Sequence, residues 1–298
     1  MSFPMLENPS GEYCYCNGHK VLYTSDEGRS LFEPIDDLIY YESIRFQKGI
    51  LLFFEDHMLR LLMSIQKKEN FQINTEKIYD DAVGLIHEAG LDEEDGNIRV
   101  VVTTARILIH LSHVFYPTKD LNRDGIATSV LTWERLDPHV KIFRQAYKMT
   151  VAEKLQTPSS FGLPYEVLLT DHSGKITEGS RSNFFVLLKG TVYSPPEELI
   201  LIGITRKYVL QAVRQAGLVY KEAMFSLEEL IALRDSDPNH NGSPALFVTS
   251  SPFDILPVHA VENEEFSSAQ NMDLHRISEY YQRIVQMYIA SHKSDSNE

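Results

Sequence analysis

Ile176-Thr177-Glu178-Gly179-Ser180-Arg181-Ser182-Asn183-Phe184-Phe185 places one carboxylate, Glu178, among hydroxyls and a glycine. Residues 165–170 before it and 183–188 after it are aliphatic and aromatic runs of strand length, and 171–174 carries the residues of a turn. An acid at the end of a buried strand is costly unless a cation neutralises it. The stretch therefore predicts a strand-rich core with a charge-bearing site at one strand end.

Outward from it, the chain divides into a smaller half, residues 1–127, and a larger, strand-rich half, 128–298. Asn17-Gly18 is a two-residue hairpin signal between strands at 12–16 and 20–24. Strands follow at 38–46 and 50–54, then a helix from Asp56 whose Leu59, Leu62 and Met63 share an apolar face. A second helix is expected over 75–89, with Thr75 as cap and Gly90 as stop, before strands at 98–104 and 107–115. In the larger half, 145–155 is helix-like, and a helix from Thr205 ends at Gly217. Ser226 to Glu229 forms a capping box, and 234–244 is an exposed loop. The final helix, 272–291, carries Leu274, Ile277, Tyr281, Ile284 and Tyr288 at helical spacing, a core or subunit-interface stripe, and the tail from His292 is frayed.

The 298 residues are 43% hydrophobic and 23% charged, enough for two cores. No apolar run is long enough to span a bilayer, and no secretion signal opens the chain. A net charge of −14 opposes nucleic-acid binding, which needs clustered Lys and Arg. Cys14 and Cys16 alone make neither a disulfide framework nor a metal site; on one strand they point into one packed layer, and a reducing cytoplasm fits. The histidines lack ligand spacing, so no metal is expected.

Four further stretches, taken with the first, carry a resemblance. They are Tyr41-Glu42-Ser43-Ile44-Arg45, His57-Met58-Leu59-Arg60, Leu201-Ile202-Gly203-Ile204-Thr205-Arg206 and Phe247-Val248-Thr249-Ser250-Ser251. In this order the chain resembles the class IV aminotransferases, the fold-type IV enzymes that use pyridoxal 5′-phosphate and include branched-chain and D-amino-acid aminotransferases and 4-amino-4-deoxychorismate lyase. The resemblance implies a two-domain α/β (α+β) fold, a cofactor-binding larger domain at 128–298, and a homodimer.

It also implies roles. Lys141 would bond the cofactor aldehyde, as an amine in a confined electropositive site can, and serve as the catalytic base. Lys148 is the rival if the alignment slips through 142–164, although it sits in the helix-like run. Glu178 would pair with the pyridine nitrogen. Ile204 and Thr205 at a helix start would bind the phosphate, unless Thr205 is merely the helix cap, with Arg60 adding a charged and bidentate contact and Ser251 a hydroxyl. Tyr41 and Arg45, on alternate positions of one strand, would line the substrate pocket. Two residues depart from the branched-chain pattern: Ser43 stands in place of glycine, and Pro252 offers no N–H to a carboxylate.

The implied reaction is amino transfer between an amino acid, branched-chain or related, and a 2-oxo acid. A lyase that eliminates pyruvate on the same lysine and ring is the alternative, and a non-catalytic binding protein of the same fold is a third reading, which Lys141, Glu178, Arg60 and Thr205 oppose.

Overall fold

The computed structural model describes residues 8–113, 116–236 and 242–294. The chain forms two compact units, one of Met1–Phe115, Val140–Gln145 and Val285–Glu298, the other of Tyr116–His139 and Ala146–Ile284.

The first unit holds β1 (Tyr13–Cys16), β2 (His19–Leu22), α1 (Asp26–Ser30), β3 (Tyr40–Gln47), β4 (Ile50–Leu51), α2 (Phe54–Gln66), α3 (Thr75–Glu88), β5 (Asp95–Val102) and β6 (Ile107–Ser112). Its sheet runs β2-β1-β6-β5-β3-β4 with every neighbouring pair antiparallel. Asn17 and Gly18 join β1 to β2 with φ of 50° and 81°, the left-handed pair that the hairpin signal predicts. Cys14 and Cys16 lie in one packed layer with Val21, Phe32 and Leu108. Burial pushes the Cys14 thiol up to about 11.

Strand β3 alternates. Tyr40, Glu42, Ile44 and Phe46 are buried, the three hydrophobic ones in a core with Met58, Leu61 and Ile65 of α2 and Leu85 of α3, while Tyr41, Ser43 and Arg45 take the other face. Helix α2 departs from the sequence expectation. It starts at Phe54, buries Met58, Leu61 and Ile65 beside His57 and Ser64, and leaves Leu59 and Met63 more than half exposed. Apolar residues occupy both sides of this helix, so spacing alone does not choose. The inward face is the one whose polar residues satisfy buried groups of neighbouring segments. Helix α3 is capped by Asn74, whose side chain accepts from Lys77 N at 3.0 Å, one residue before the expected Thr75.

The second unit holds α4 (Lys119–Asp124), β7 (Ile126–Thr132), α5 (Gln145–Leu155), β8 (Glu166–Thr170), β9 (Ile176–Gly179), β10 (Asn183–Leu188), β11 (Thr191–Ser194), α6 (Ile204–Gln215), β12 (Val219–Glu222), α7 (Leu227–Asp235), β13 (Ala245–Ser250), β14 (Asp254–Val261) and β15 (Glu264–Glu265). Helix α8 (Met272–Ser294) has its residues to Ile284 here and the later ones in the first unit. The nine-stranded sheet runs β12-β11-β10-β13-β14-β7-β8-β9, with β15 on β14; the β11–β12, β14–β7 and β7–β8 pairs are parallel. Every residue of β8 and β9 is buried, as sheet covered on both faces requires.

Helix α6 begins at Ile204 after an N-cap at Gly203, so Thr205 is its second residue and not its cap. The capping box of Ser226 and Glu229 forms as expected, and Leu274, Ile277, Tyr281 and Ile284 of α8 are buried. Residues 114–115 of the expected 107–115 strand, 237–241 of the expected loop and 295–298 of the expected tail lie outside the described residues, whereas residues 292–294, expected to be frayed, continue α8. No helix among the described residues is long and apolar enough to cross a membrane.

Candidate active site

Pairing of β8 with β9 sets Leu169 opposite Glu178, which carries the acid into the interior, where it is 2% exposed. Glu178 Oε1 accepts from Arg135 Nε at 2.5 Å, and Oε2 accepts from the backbone N–H of Leu201 at 3.2 Å. The guanidinium of Arg135 lies 5.4 Å from the ring of Tyr147, whose hydroxyl donates to the Ser180 carbonyl at 2.7 Å. Arg135 is thus a cation beside the buried acid, and the sequence reading missed it. It stands in an irregular segment that carries no motif, 43 residues before Glu178.

Asn183 Nδ2 donates to the Leu201 carbonyl at 2.8 Å. Leu201 is therefore held at its N–H by Glu178 and at its carbonyl by Asn183, which locks the acid stretch to the Leu201–Arg206 stretch. A Cβ on Gly203 would lie 2.0 Å from Asn183 Oδ1, so close approach demands glycine there, with φ an ordinary −73°. Gly203 brings no side-chain cap to α6, leaving the helix start to backbone N–H groups. Ile204 and Thr205 are buried in its first turn, and the Thr205 hydroxyl sits 3.5 Å from Ser251 Oγ. Thr249, directly opposite Asn183 in the sheet, has a buried Oγ1 without a hydrogen-bond partner among the described residues. Helix-start amides, a close-approach glycine and hydroxyls are the donor set that a phosphate takes.

In the first unit, Glu42 is fully buried and accepts from Arg60 Nε at 2.8 Å, Arg60 Nη2 at 2.5 Å and His57 Nδ1 at 2.8 Å. Burial pushes the Glu42 carboxyl up, but Arg60 and His57 outweigh it and hold the group at about 2. Burial lowers His57 against the pull of Glu42. The bidentate edge of Arg60 is thus spent on Glu42.

Residues 141–143 run beside the first half of β3: Tyr41 N donates to Lys141 O at 3.3 Å and Phe143 N to Ile39 O at 2.8 Å. The Lys141 backbone N–H donates to the buried Ser64 hydroxyl of α2 at 3.2 Å, so its main chain is fixed from both sides. Lys141 Nζ lies 4.8 Å from the Tyr41 ring centroid, and Arg99 Cζ lies 5.8 Å from the same ring. Arg99 of β5 stands opposite Ser43, and Arg45, 3.5 Å from Asp95, stands opposite Asn97. Tyr41, Arg45 and Arg99 therefore share one sheet face. Arg99 and Ser64 were also missed; each looks in sequence like an ordinary strand or helix residue. The rival Lys148 is half-buried in the first turn of α5.

Residues 40–261 match the model of the amino-transferase class IV family. A D-alanine aminotransferase of Bacillus licheniformis is 26% identical over 249 residues, covering 76% of this chain and 80% of its own length. Among solved structures, the T.th. branched-chain amino acid aminotransferase with pyridoxamine 5′-phosphate superposes with a TM-score of 0.73 at 17% identity, over 93% of this chain and 95% of that one. A Legionella pneumophila protein described as a putative 4-amino-4-deoxychorismate lyase gives 0.67 at 19% identity, over 84% and 94%. The two-unit α/β architecture is that of fold-type IV, and the family match spans most of the chain. With both of its sequence stretches locked through Leu201, the chain belongs to the class IV aminotransferases and is a transaminase of that family.

Proposed function

We propose that this aminotransferase moves an amino group between an amino acid, branched-chain or related, and a 2-oxo acid, with pyridoxal 5′-phosphate as its cofactor. The observation that carries the reading is Glu178, a buried acceptor whose direction is set by Arg135 on one oxygen and Leu201 N on the other. A protonated pyridine nitrogen needs such an acceptor. The residues fit the rest of the cofactor as well: the start of α6, without a side-chain cap, with Thr205 and Ser251, and the Thr249 hydroxyl, without a hydrogen-bond partner among the described residues, suit a phosphate. Arg60 would add positive charge near the phosphate rather than a bidentate fork, because its Nε and Nη2 donate to Glu42.

When bound, the cofactor supplies a ring that accepts the electrons released at the substrate's α carbon. Glu178 would keep the ring nitrogen protonated. Lys141 would hold the cofactor covalently and would serve as the base that moves the α proton. Tyr41 sets one wall beside the Lys141 amine, and Arg45 and Arg99 supply positive charge for a substrate carboxylate. We also infer a cytoplasmic homodimer from the family likeness, which light scattering tests for assembly.

The lyase reading is supported by the fold likeness to the Legionella protein, and a fold hosts more than one chemistry. Absorption spectra of the purified protein during titration with L-amino acids, D-amino acids and aminodeoxychorismate test both. Conversion of the cofactor to its amine form by an amino acid supports transfer. Pyruvate release from aminodeoxychorismate without a 2-oxo acid acceptor replaces it with the lyase, and a protein that takes up no cofactor sinks both.

A further inference from the structure

We propose that Glu166, outside every recognised stretch, is a positioning residue that sets the turn after Glu178; the proposal rests on the reading that Glu178 serves the pyridine nitrogen. Glu166 opens β8 and is fully buried. Its Oε1 accepts from Val167 N at 2.8 Å, Ser180 N at 3.2 Å and Ser180 Oγ at 2.6 Å, and its Oε2 accepts from Ser182 Oγ at 2.8 Å, with Arg181 Nε at 3.7 Å. Ser180 N also donates to the Val167 carbonyl at 2.7 Å, so the turn is tied to β8 by main chain and side chain together. A buried carboxylate is expensive unless donors surround it, and here most of them come from one turn.

This arrangement explains three residues of the acid stretch at once. Gly179 lies opposite Leu168, and a Cβ on it would sit 2.0 Å from Ser182 Oγ and 3.2 Å from Glu166 Oε2. The space a side chain would fill is taken by the Glu166–Ser182 hydrogen bond. Ser180 and Ser182 are needed as donors to one carboxylate, and Tyr147 fixes the Ser180 carbonyl from the other side. The turn therefore has a single geometry, and Glu178, one residue before Gly179, inherits it. A glutamine at 166 would keep the volume but remove the negative charge, and its amide N–H in place of Oε2 would reverse the direction of the Ser182 hydrogen bond.

The test uses the holoenzyme of the parent, Glu166→Gln, Glu178→Gln and Ser182→Ala. The pH titration of the bound cofactor's visible absorption and the single-turnover rate with an amino acid are read beside the melting temperature of each apo form. Glu166→Gln should shift the titration in the direction of Glu178→Gln and slow the half-reaction about tenfold. Ser182→Ala, which keeps the carboxylate and removes one donor, should shift both by less and keeps the test open if the glutamine variant does not fold. A lower melting temperature with parental titration and rate in both variants overturns the proposal, leaving Glu166 a folding residue. If Glu178→Gln is itself parental, the reading of Glu178 falls and this inference with it. A defective Glu178→Gln beside parental Glu166→Gln and Ser182→Ala removes Glu166 alone.

Discussion

The β3–α2 region of the first unit and the β8–β10 region of the second each bury a glutamate beside an arginine, but they assemble the pair differently. Glu42 takes its donors from one helix: Arg60 and His57 stand three residues apart on α2, on the face toward β3. Glu178 takes Arg135 from an irregular segment and Leu201 N from the approach to α6. The first pair forms whenever one helix packs on one strand. The second requires three separate segments to arrive together, so it reports on the assembled site, and its loss should register in chemistry more than in folding.

The largest effect is expected at Lys141, whose backbone is pinned to Ser64 of the first region. Lys141→Ala should lower turnover by about 10³-fold or more, since in the proposed reaction it would remove both the covalent anchor and the base. Borohydride reduction of the parent should attach the cofactor to the Lys141 peptide. Mass spectrometry that finds the label on Lys148 would move the active amine to α5, and a label on neither lysine would end the cofactor assignment.

Next comes Arg60→Ala, which strands the Glu42 charge; breaking a buried pair in this way costs about 3–5 kcal/mol. The pH dependence follows. Glu42 is depressed from 4.5 to about 2 in the fold, so its contribution, about 3 kcal/mol, is complete above pH 4.5 and is lost as pH falls toward 2. His57 is also lowered, so its contribution is present above 6.5 and fades as pH falls below that. Urea unfolding of the apo protein should show stability declining from pH 6.5 downward, and Arg60→Ala, which removes the cation that depresses Glu42, should shrink the Glu42 share of that acid loss because protonation then relieves the stranded charge. Dialysis should also show faster loss of cofactor from Arg60→Ala. Parental unfolding in the variant would mean that the Arg60–Glu42 pair does not hold the region.

Glu178→Gln tests the other side of the comparison. It should bind cofactor yet react about 10–100-fold more slowly, while Glu42→Gln should lower stability with a smaller change in rate. Equal rate losses in the two variants would erase the distinction between the regions.

The two regions also differ in what their sequence discloses. The acid stretch was legible because its strands, turn and glycine are contiguous, and apolar runs of strand length placed β8 and β10 close to their observed bounds. Arg135, Glu166 and Arg99 were not legible, because each meets its partner through pairing across 14 residues or more, or from a segment without periodicity. Arg60 was legible as a cation in a motif, but its commitment to Glu42 depends on which face of α2 turns inward. That choice is decided by buried polar partners and not by the spacing of Leu59, Leu62 and Met63.

The smallest effect concerns a position where sequence and structure differ by one residue. Helix α3 lies in the first unit against β6 and β1, sharing a core with the buried residues of β3, and its cap is Asn74, whose Oδ1 takes the Lys77 N–H. Thr75, the expected cap, is instead the first helical residue. An N-cap truncated to alanine loses an acceptor for an otherwise orphaned donor, typically about 1 kcal/mol, whereas a substitution at the first helical position stays within about 0.5 kcal/mol. Asn74→Ala should therefore lower the unfolding free energy by about twice as much as Thr75→Ala or more, and neither should alter the cofactor spectrum or the half-reaction rate. A larger loss for Thr75→Ala would shift the start of α3 by one residue. A change in rate for Asn74→Ala would show that stability of the first unit feeds directly into the chemistry.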